Sequence, residues 1–248
     1  MKQTSRKKVL VSSVAMMMVA TVSLGSATFA WFSQKTTATA TGLTASTTAA
    51  SNLRISEDAA TWTYDLNYNT AKTLEPASTA DFTKWFTANA ASFDNQTADS
   101  ITDVSQVVAT NTDANKYCIK KDLYFNYTGT DTATIYYKLT PSSTAGSTDF
   151  LRVALVDSTG AIKFVYENGT EAVAPLTSED GATGTLATTT STKGTVQTIT
   201  GDGSSAGTTS GKYTIYIWFE GQDAQCIDTN AVNTCPVSFD FATTEFTN

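Results

Sequence analysis

The sequence predicts an all-β protein built as an antiparallel β-sandwich, and three observations support this fold class. Threonine supplies about a fifth of the 248 residues, and this β-branched residue fits a pleated, half-exposed surface better than a helix. Apolar and polar residues alternate in several segments of strand length. Turn residues separate several of these segments. Because strands with one apolar face have to bury that face, the pattern predicts two packed sheets.

The N-terminus has the organisation of a signal peptide. Four basic residues precede an apolar run from Val9 to Leu24, and the small residues Thr28 and Ala30 then suit a cleavage site. We therefore predict that a signal peptidase cleaves between Ala30 and Trp31 during export. An uncleaved membrane anchor is the alternative, but the apolar run is short for a bilayer, which needs about 20 residues.

The predicted organisation is a signal peptide at residues 1–30 followed by a single β-sandwich domain at residues 31–248. The chain carries 16 Lys and Arg against 23 Asp and Glu, for a formal net charge of -7, and cleavage removes four positive charges and no negative one. We expect no nucleic-acid partner, because phosphate neutralisation needs a surplus of basic residues. The domain is expected to be secreted, and to lie in the extracellular matrix or at the cell surface.

Six segments with alternating apolar residues predict the main strands of the domain. Their apolar positions are Tyr117, Ile119, Leu123, Phe125 and Tyr127; Ile135, Tyr137 and Leu139; Leu151, Val153 and Leu155; Ile162, Phe164 and Tyr166; Tyr213, Ile215, Ile217 and Phe219; and Val237, Phe239 and Phe241. Turns are predicted at residues 128–131, at residues 157–160 and at Asn168-Gly169, the last as a type I′ hairpin turn. The tract 177–211 is rich in Thr, Ser and Gly and predicts long loops, with one edge strand around Val196 and Ile199.

One segment has helical rather than strand spacing. Phe82, Trp85 and Phe86 lie at positions i, i+3 and i+4, which predicts one short helix capped near Ser78 or Asp81. We expect this aromatic stripe to cover the core, since such stripes only rarely form ligand platforms.

No pattern in the sequence indicates a reaction centre. The chain has no histidine, which excludes zinc sites built on imidazole and nucleophile systems that use a histidine base. It contains no HExxH, CxxC or P-loop motif. The acidic pairs Glu179/Asp180 and Glu220/Asp223 match no EF-hand spacing and are interpreted as solvated surface. We therefore predict no catalytic residue, no metal site and no cofactor, and the protein is not expected to be an enzyme.

The three cysteines predict a local disulfide. Cys226 and Cys235 flank a short loop before the last predicted strand. In an oxidising compartment a bond between them would stabilise the domain by about 2–3 kcal/mol. Cys118 is then a small buried hydrophobe, or it pairs with Cys226 or Cys235 instead.

Three parts of the sequence carry a family resemblance. The stretch from Ala27 to Ser33 is similar to the end of a SipW-dependent type of signal peptide. Residues 52–56 with 74–79, and residues 217–223 with a cysteine close behind, are similar to secreted proteins that carry this signal. The chain thus resembles the TasA/CalY (camelysin-like) family of surface proteins of Gram-positive bacteria.

The resemblance implies a jelly-roll-like sandwich and, as for TasA, a subunit of an extracellular fibre in a biofilm matrix. In such fibres the N-terminal segment of one subunit completes the sheet of the next. The metalloprotease activity described for camelysin is not carried over, because this chain has neither a histidine nor a zinc motif.

The predicted mature N-terminus has the properties of a donor strand. It begins with Trp31 and Phe32, and the stretch from Thr36 to Thr41 then consists of threonine alternating with alanine at Ala38 and Ala40. Such a strand offers all its backbone donors and acceptors, and its small side chains allow close approach to a groove. Given to a second copy it makes a head-to-tail contact that does not close, and such contacts build filaments. The alternative is that it folds onto its own domain as an ordinary first strand.

The predicted function is that of a secreted, non-enzymatic structural protein, a fibre subunit assembling by donor-strand complementation through residues 31–45. Its expected partner is itself, in a head-to-tail homopolymer, with other matrix proteins or glycans as further candidates. The alternative is a monomeric surface adhesin or carbohydrate-binding module. Exposure of Trp62, Tyr64, Tyr216 and Trp218 in one coplanar row would favour this alternative, and their burial would favour a structural subunit.

Overall fold

The fold is known from a computed structural model, which describes residues 38–47, 52–68, 71–83, 85–88, 98–101, 115–141, 149–168, 186–221, 223, 226 and 236–247. All regular structure in these residues is β-strand, and none of them forms a helix. The all-β class predicted from the sequence is therefore confirmed. Within the same residues, no helix has the length and apolar character needed to cross a membrane.

Several predicted features lie outside the described residues. They are the signal peptide at residues 1–30, the cleavage site between Ala30 and Trp31, the donor-strand residues Trp31, Phe32 and Thr36, and Cys235.

The described residues form seventeen strands. In chain order these are β1 (Ala38–Thr41), β2 (Thr44–Thr47), β3 (Leu53–Ser56), β4 (Asp65–Asn67), β5 (Ala71–Leu74), β6 (Ala77–Thr79), β7 (Trp85–Ala88), β8 (Ala98–Ile101), β9 (Asn115–Lys116), β10 (Cys118–Tyr127), β11 (Thr132–Pro141), β12 (Leu151–Asp157), β13 (Ile162–Glu167), β14 (Lys193–Thr200), β15 (Thr208–Thr209), β16 (Tyr213–Phe219) and β17 (Val237–Ala242). The six segments of alternating apolar residues fall in β10, β11, β12, β13, β16 and β17, so these six strand predictions are confirmed.

Two main sheets carry most of these strands. The six-stranded sheet has the order β13-β12-β16-β10-β15, with β3 also paired to β10, and all its pairings are antiparallel. The five-stranded sheet has the order β14-β11-β17-β2-β4, and in it β2 runs parallel to β17. Two three-stranded sheets, β1-β5-β9 and β6-β7-β8, accompany them.

Side chains from both main sheets pack into one hydrophobic cluster. Phe125 and Ile217 of the six-stranded sheet and Ile135, Phe239 and Phe241 of the five-stranded sheet belong to it, and each is at most 1% exposed. Phe125 contacts Phe241 across the cluster, with ring centroids 4.9 Å apart. Burial of such side chains supplies the main favourable term in folding, about 1.5–3 kcal/mol for each.

One predicted turn and the predicted edge strand are present in the structure. The turn at residues 157–160 joins β12 to β13, and the N–H of Gly160 donates to the carbonyl of Asp157 at 3.0 Å. The edge strand predicted around Val196 and Ile199 is β14, in which both side chains are 6% exposed. Gly169 of the predicted hairpin turn lies outside the described residues.

The predicted short helix around Phe82 is wrong. Strands β6 and β7 occupy the segment and pair antiparallel with each other. In the turn between them the Thr79 hydroxyl accepts the N–H of Phe82 at 3.0 Å, and Phe82 has a φ of 60°. This left-handed conformation does not continue a right-handed helix. The same turn places the aromatic rings of Phe82 and Trp85 6.3 Å apart. The helical spacing therefore indicated correctly that these two side chains lie close together, but not that the backbone between them is helical.

Candidate functional site

The first described segment of the chain contributes to two different sheets. Strand β1, which contains Ala38 and Ala40, pairs antiparallel with β5. Strand β2 lies between β17 and β4 in the five-stranded sheet. Gly42 separates β1 from β2 with a φ of 67°, a conformation that glycine adopts without steric cost. The segment predicted as a donor strand is therefore divided at Gly42.

Strand β2 and the residue before it are anchored in the protein. Leu43 and Ala45 are each 1% exposed and belong to the main hydrophobic cluster. The hydroxyl of Ser46 donates to the carboxylate of Asp240 in β17 at 2.7 Å, and Ala45 lies opposite Phe239 in the parallel pairing. Removal of β2 would leave a slot beside β17 and would uncover the core next to it.

The parallel pairing of β2 with β17 joins two strands that lie far apart in the chain. A parallel pair cannot be closed by a tight turn, so the two strands reach each other through a long connection. The slot between β17 and β4 presents the same backbone edge and the same apolar floor to this segment of its own chain and to the same segment of a second copy. The arrangement can therefore serve either a closed monomer or a strand exchange.

The aromatic residues considered for a glycan platform do not form one exposed row. Trp218 is 0% exposed and Tyr216 is 7% exposed. Tyr64 is 39% exposed and Trp62 is half-buried, and both belong to the connection between β3 and β4. This arrangement removes the structural reason for an adhesin that binds through these four side chains.

A buried arginine joins three neighbouring elements at one end of the six-stranded sheet. Arg152 of β12 lies opposite Glu167 of β13 and opposite Trp218 of β16. Its Nη2 atom is 2.9 Å from Asp223 Oδ2 and 3.6 Å from Glu167 Oε1. Nη1 donates to the carbonyl of Asp149 at 2.8 Å. Arg152 is only 1% exposed, so its charge has to be compensated by these partners.

Glu220 and Asp223 are not the solvated surface acids that the sequence suggested. Each is 4% exposed, and Glu220 Oε2 accepts a hydrogen bond from the indole N–H of Trp218 at 3.2 Å. Asp223 accepts from Arg152, which is 71 residues away in the chain. The signal in the sequence that could have indicated a buried acidic partner was Arg152, because it is the one basic residue of strand β12 and has apolar neighbours on both sides.

Arg152 with Asp223 and Glu167, named the arginine centre, holds neighbouring elements together. It joins the segment after β16 to β12, and the N–H of Glu220 donates to the carbonyl of Phe150 at 2.8 Å. The described residues contain no group of three or more His, Cys, Asp or Glu side chains placed to hold a metal ion.

The cysteines occupy buried positions. Cys118 is a free thiol, 0% exposed, and its Sγ donates to the carbonyl of Ile119 at 3.3 Å. Burial raises the pKa of the Cys118 thiol far above its ordinary value, so little nucleophilic thiolate forms at neutral pH. Cys226 is 4% exposed, and its N–H donates to the carbonyl of Asp223 at 2.9 Å. The disulfide between Cys226 and Cys235 stays a prediction.

Comparison with known proteins adds no relative: no family model, no curated protein and no solved structure matches the chain.

Proposed function

We propose that the protein is a secreted, non-enzymatic structural subunit of the cell surface or extracellular matrix, and that it assembles head-to-tail into a fibre. Its two main sheets form a jelly-roll-like sandwich. In the fibre, the segment that begins at Trp31 leaves its own domain and completes the five-stranded sheet of the next copy. Signal peptidase frees this segment by cleaving after Ala30, so assembly follows export.

The placement of β2 is the observation that carries this proposal. This short strand comes from the N-terminal segment, runs parallel to the last strand, and fills a slot between β17 and β4. Leu43 and Ala45 fill the adjoining part of the core. A second copy of the same segment can make the same contacts, as in recognition by strand addition.

Under the proposal, assembly cannot begin before the signal peptide is removed. While the signal peptide is attached, the N-terminal segment is held at the membrane, and it cannot enter a second copy. After cleavage, the segment has two sites of equal shape, one in its own chain and one in a neighbour. The contacts of residues 31–41 then decide between monomer and fibre.

The test compares purified chains that begin at Trp31, at Gly42 and at Asn52. We expect filaments in negative-stain microscopy from the first chain, and none from the chain that begins at Asn52, which lacks β1 and β2. A synthetic peptide of residues 31–51 should raise the unfolding temperature of the chain that begins at Asn52. The same peptide with Leu43→Asp is the matched control and should not raise it, because the aspartate cannot enter the core.

Filaments from the chain that begins at Asn52 would contradict donor-strand assembly. Equal filament yield from the chains that begin at Trp31 and at Gly42 would contradict the role given to residues 31–41. Stabilisation by the Leu43→Asp peptide equal to that by the unchanged peptide would contradict the role given to the slot.

A further inference from the structure

The hairpin of β6 and β7 covers the face of the six-stranded sheet that is turned away from the main cluster. We propose that this hairpin, named the cover (residues 77–83 and 85–88), is a detachable element that opens while the rest of the domain stays folded. The side chain of Phe82 is the latch that holds it closed.

Aromatic contacts hold the cover in place. The Phe82 ring lies 4.9 Å from the Tyr216 ring and 5.7 Å from the Trp218 ring, measured between centroids. Trp85 lies 6.2 Å and 5.8 Å from the same two rings. Tilted and edge-to-face pairs at these distances attract one another in addition to the area that they bury. Phe82 thus connects the tip of the cover to the centre of β16.

The backbone of the cover joins the six-stranded sheet at one end. Ala77 forms a bridge with Glu220, and its carbonyl accepts the N–H of Gly221 at 3.1 Å. Strand β7 pairs with β6 and β8, both of which belong to the small sheet. The cover can therefore swing away from β16 about the Ala77 end without breaking the ladder between β10, β16 and β12.

The closed position carries two costs. Phe82 is held at a φ of 60°, and a non-glycine residue is strained in this region. The indole N–H of Trp85 is buried, and it has no hydrogen-bond partner among the described residues, which costs part of the free energy gained by burying the ring. Opening relieves both costs, because the turn relaxes and the indole reaches water. The balance between ring packing and these costs favours a cover that opens below the free energy of global unfolding.

Cys118 provides a built-in reporter of this opening. It lies opposite Trp218 in the ladder between β10 and β16, and it belongs to the same buried cluster as Ala77, Phe82 and Trp85. The thiol is 0% exposed in the closed state. An open cover therefore makes it accessible to a thiol reagent.

The test measures N-ethylmaleimide labelling of Cys118 in the chain that begins at Trp31, as a function of urea. Mass spectrometry of the Cys118 peptide separates this reaction from those of Cys226 and Cys235. At low urea we expect labelling to depend weakly on urea, since a local opening exposes little surface, and to follow global unfolding only at high urea. Phe82→Ala should accelerate the low-urea reaction roughly ten- to a hundredfold, because the ring contacts are lost.

Two further variants separate the latch from general destabilisation. Phe82→Gly also lacks the ring but accepts the positive φ, so it should label roughly fivefold more slowly than Phe82→Ala. Phe239→Ala, in the main cluster, should lower the urea midpoint and leave the low-urea reaction unchanged. The proposal is overturned if unchanged protein labels only with the urea dependence of global unfolding, or if Phe239→Ala accelerates the low-urea reaction as much as Phe82→Ala does.

Discussion

Replacing Asp223 with alanine measures what the buried arginine centre contributes to stability. The substitution removes the carboxylate 2.9 Å from Arg152 Nη2 and leaves Glu167 at 3.6 Å and the carbonyl of Asp149 as partners of a guanidinium that is 1% exposed. Breaking a buried ion pair by removing one partner costs about 3–5 kcal/mol. Because Glu167 still compensates part of the charge, we expect about 3–4 kcal/mol for Asp223→Ala. For a domain of this size, the melting temperature should fall by about 6–16 °C.

The pair formed by Lys163 and Asp157 is the matched control. Its atoms are also 2.9 Å apart, but the side chains are 26% and 19% exposed. Lys163→Ala should cost at most about 1 kcal/mol, since solvent screens such pairs. Urea unfolding followed by tryptophan fluorescence gives both free energies, provided that the urea dependence is unchanged. If Asp223→Ala lowers the free energy of unfolding no more than Lys163→Ala does, the buried arginine centre does not stabilise the fold and the reasoning fails.

Three further predictions follow from burial and backbone conformation. Leu43→Ala should cost about 2–5 kcal/mol in urea unfolding, whereas Thr44→Ala on the half-buried face should change stability little; equal costs would place Leu43 outside the core. Gly207→Ala should destabilise the domain more than Gly160→Ala, because both have positive φ but only at Gly207 does a Cβ meet a side-chain oxygen, at 2.5 Å; calorimetry compares the two. Burial raises the pKa values of Tyr137, Tyr213 and Tyr216 to about 12 from 10.0. The folded state therefore favours the neutral phenols, and their joint contribution to stability, complete below pH 10, should be lost between pH 10 and 12. Urea unfolding measured across this range checks the loss, and unchanged stability would contradict it.

The strands were predictable because a half-buried strand repeats every two residues, and the period survives in the sequence without knowledge of partners. In β11 the residues Ile135, Tyr137 and Leu139 are buried while Lys138 and Thr140 between and beyond them are exposed. Sheet order is not encoded in this way, because it depends on contacts between distant segments. The parallel pairing of β2 with β17 joins positions about 190 residues apart, and no local pattern indicated it.

The two errors have a common physical cause. The spacing of Phe82 and Trp85 was interpreted as a helix, and the acids Glu220 and Asp223 were interpreted as surface. In each case the deciding partner lies elsewhere in the chain: Tyr216 and Trp218 for the rings, and Arg152 for Asp223. A local sequence pattern indicates which side chains lie on the same side of a segment. Whether a charged side chain is buried, or a turn is strained, depends on tertiary packing.

The energetics of strand exchange indicate which part of the N-terminal segment drives assembly under the proposed function. Moving β2 from its own slot to that of a second copy exchanges equal contacts, so Leu43 and Ala45 contribute nothing to the difference. The intramolecular segment has an effective concentration of about 1 mM, and at roughly 1 μM protein this favours the monomer by about 4 kcal/mol. Burial of two large aromatic side chains in the neighbouring copy would favour the fibre by about 3–6 kcal/mol. Trp31 and Phe32 are therefore large enough to shift the balance to the fibre, provided that a neighbouring copy buries them and the parent domain leaves them exposed.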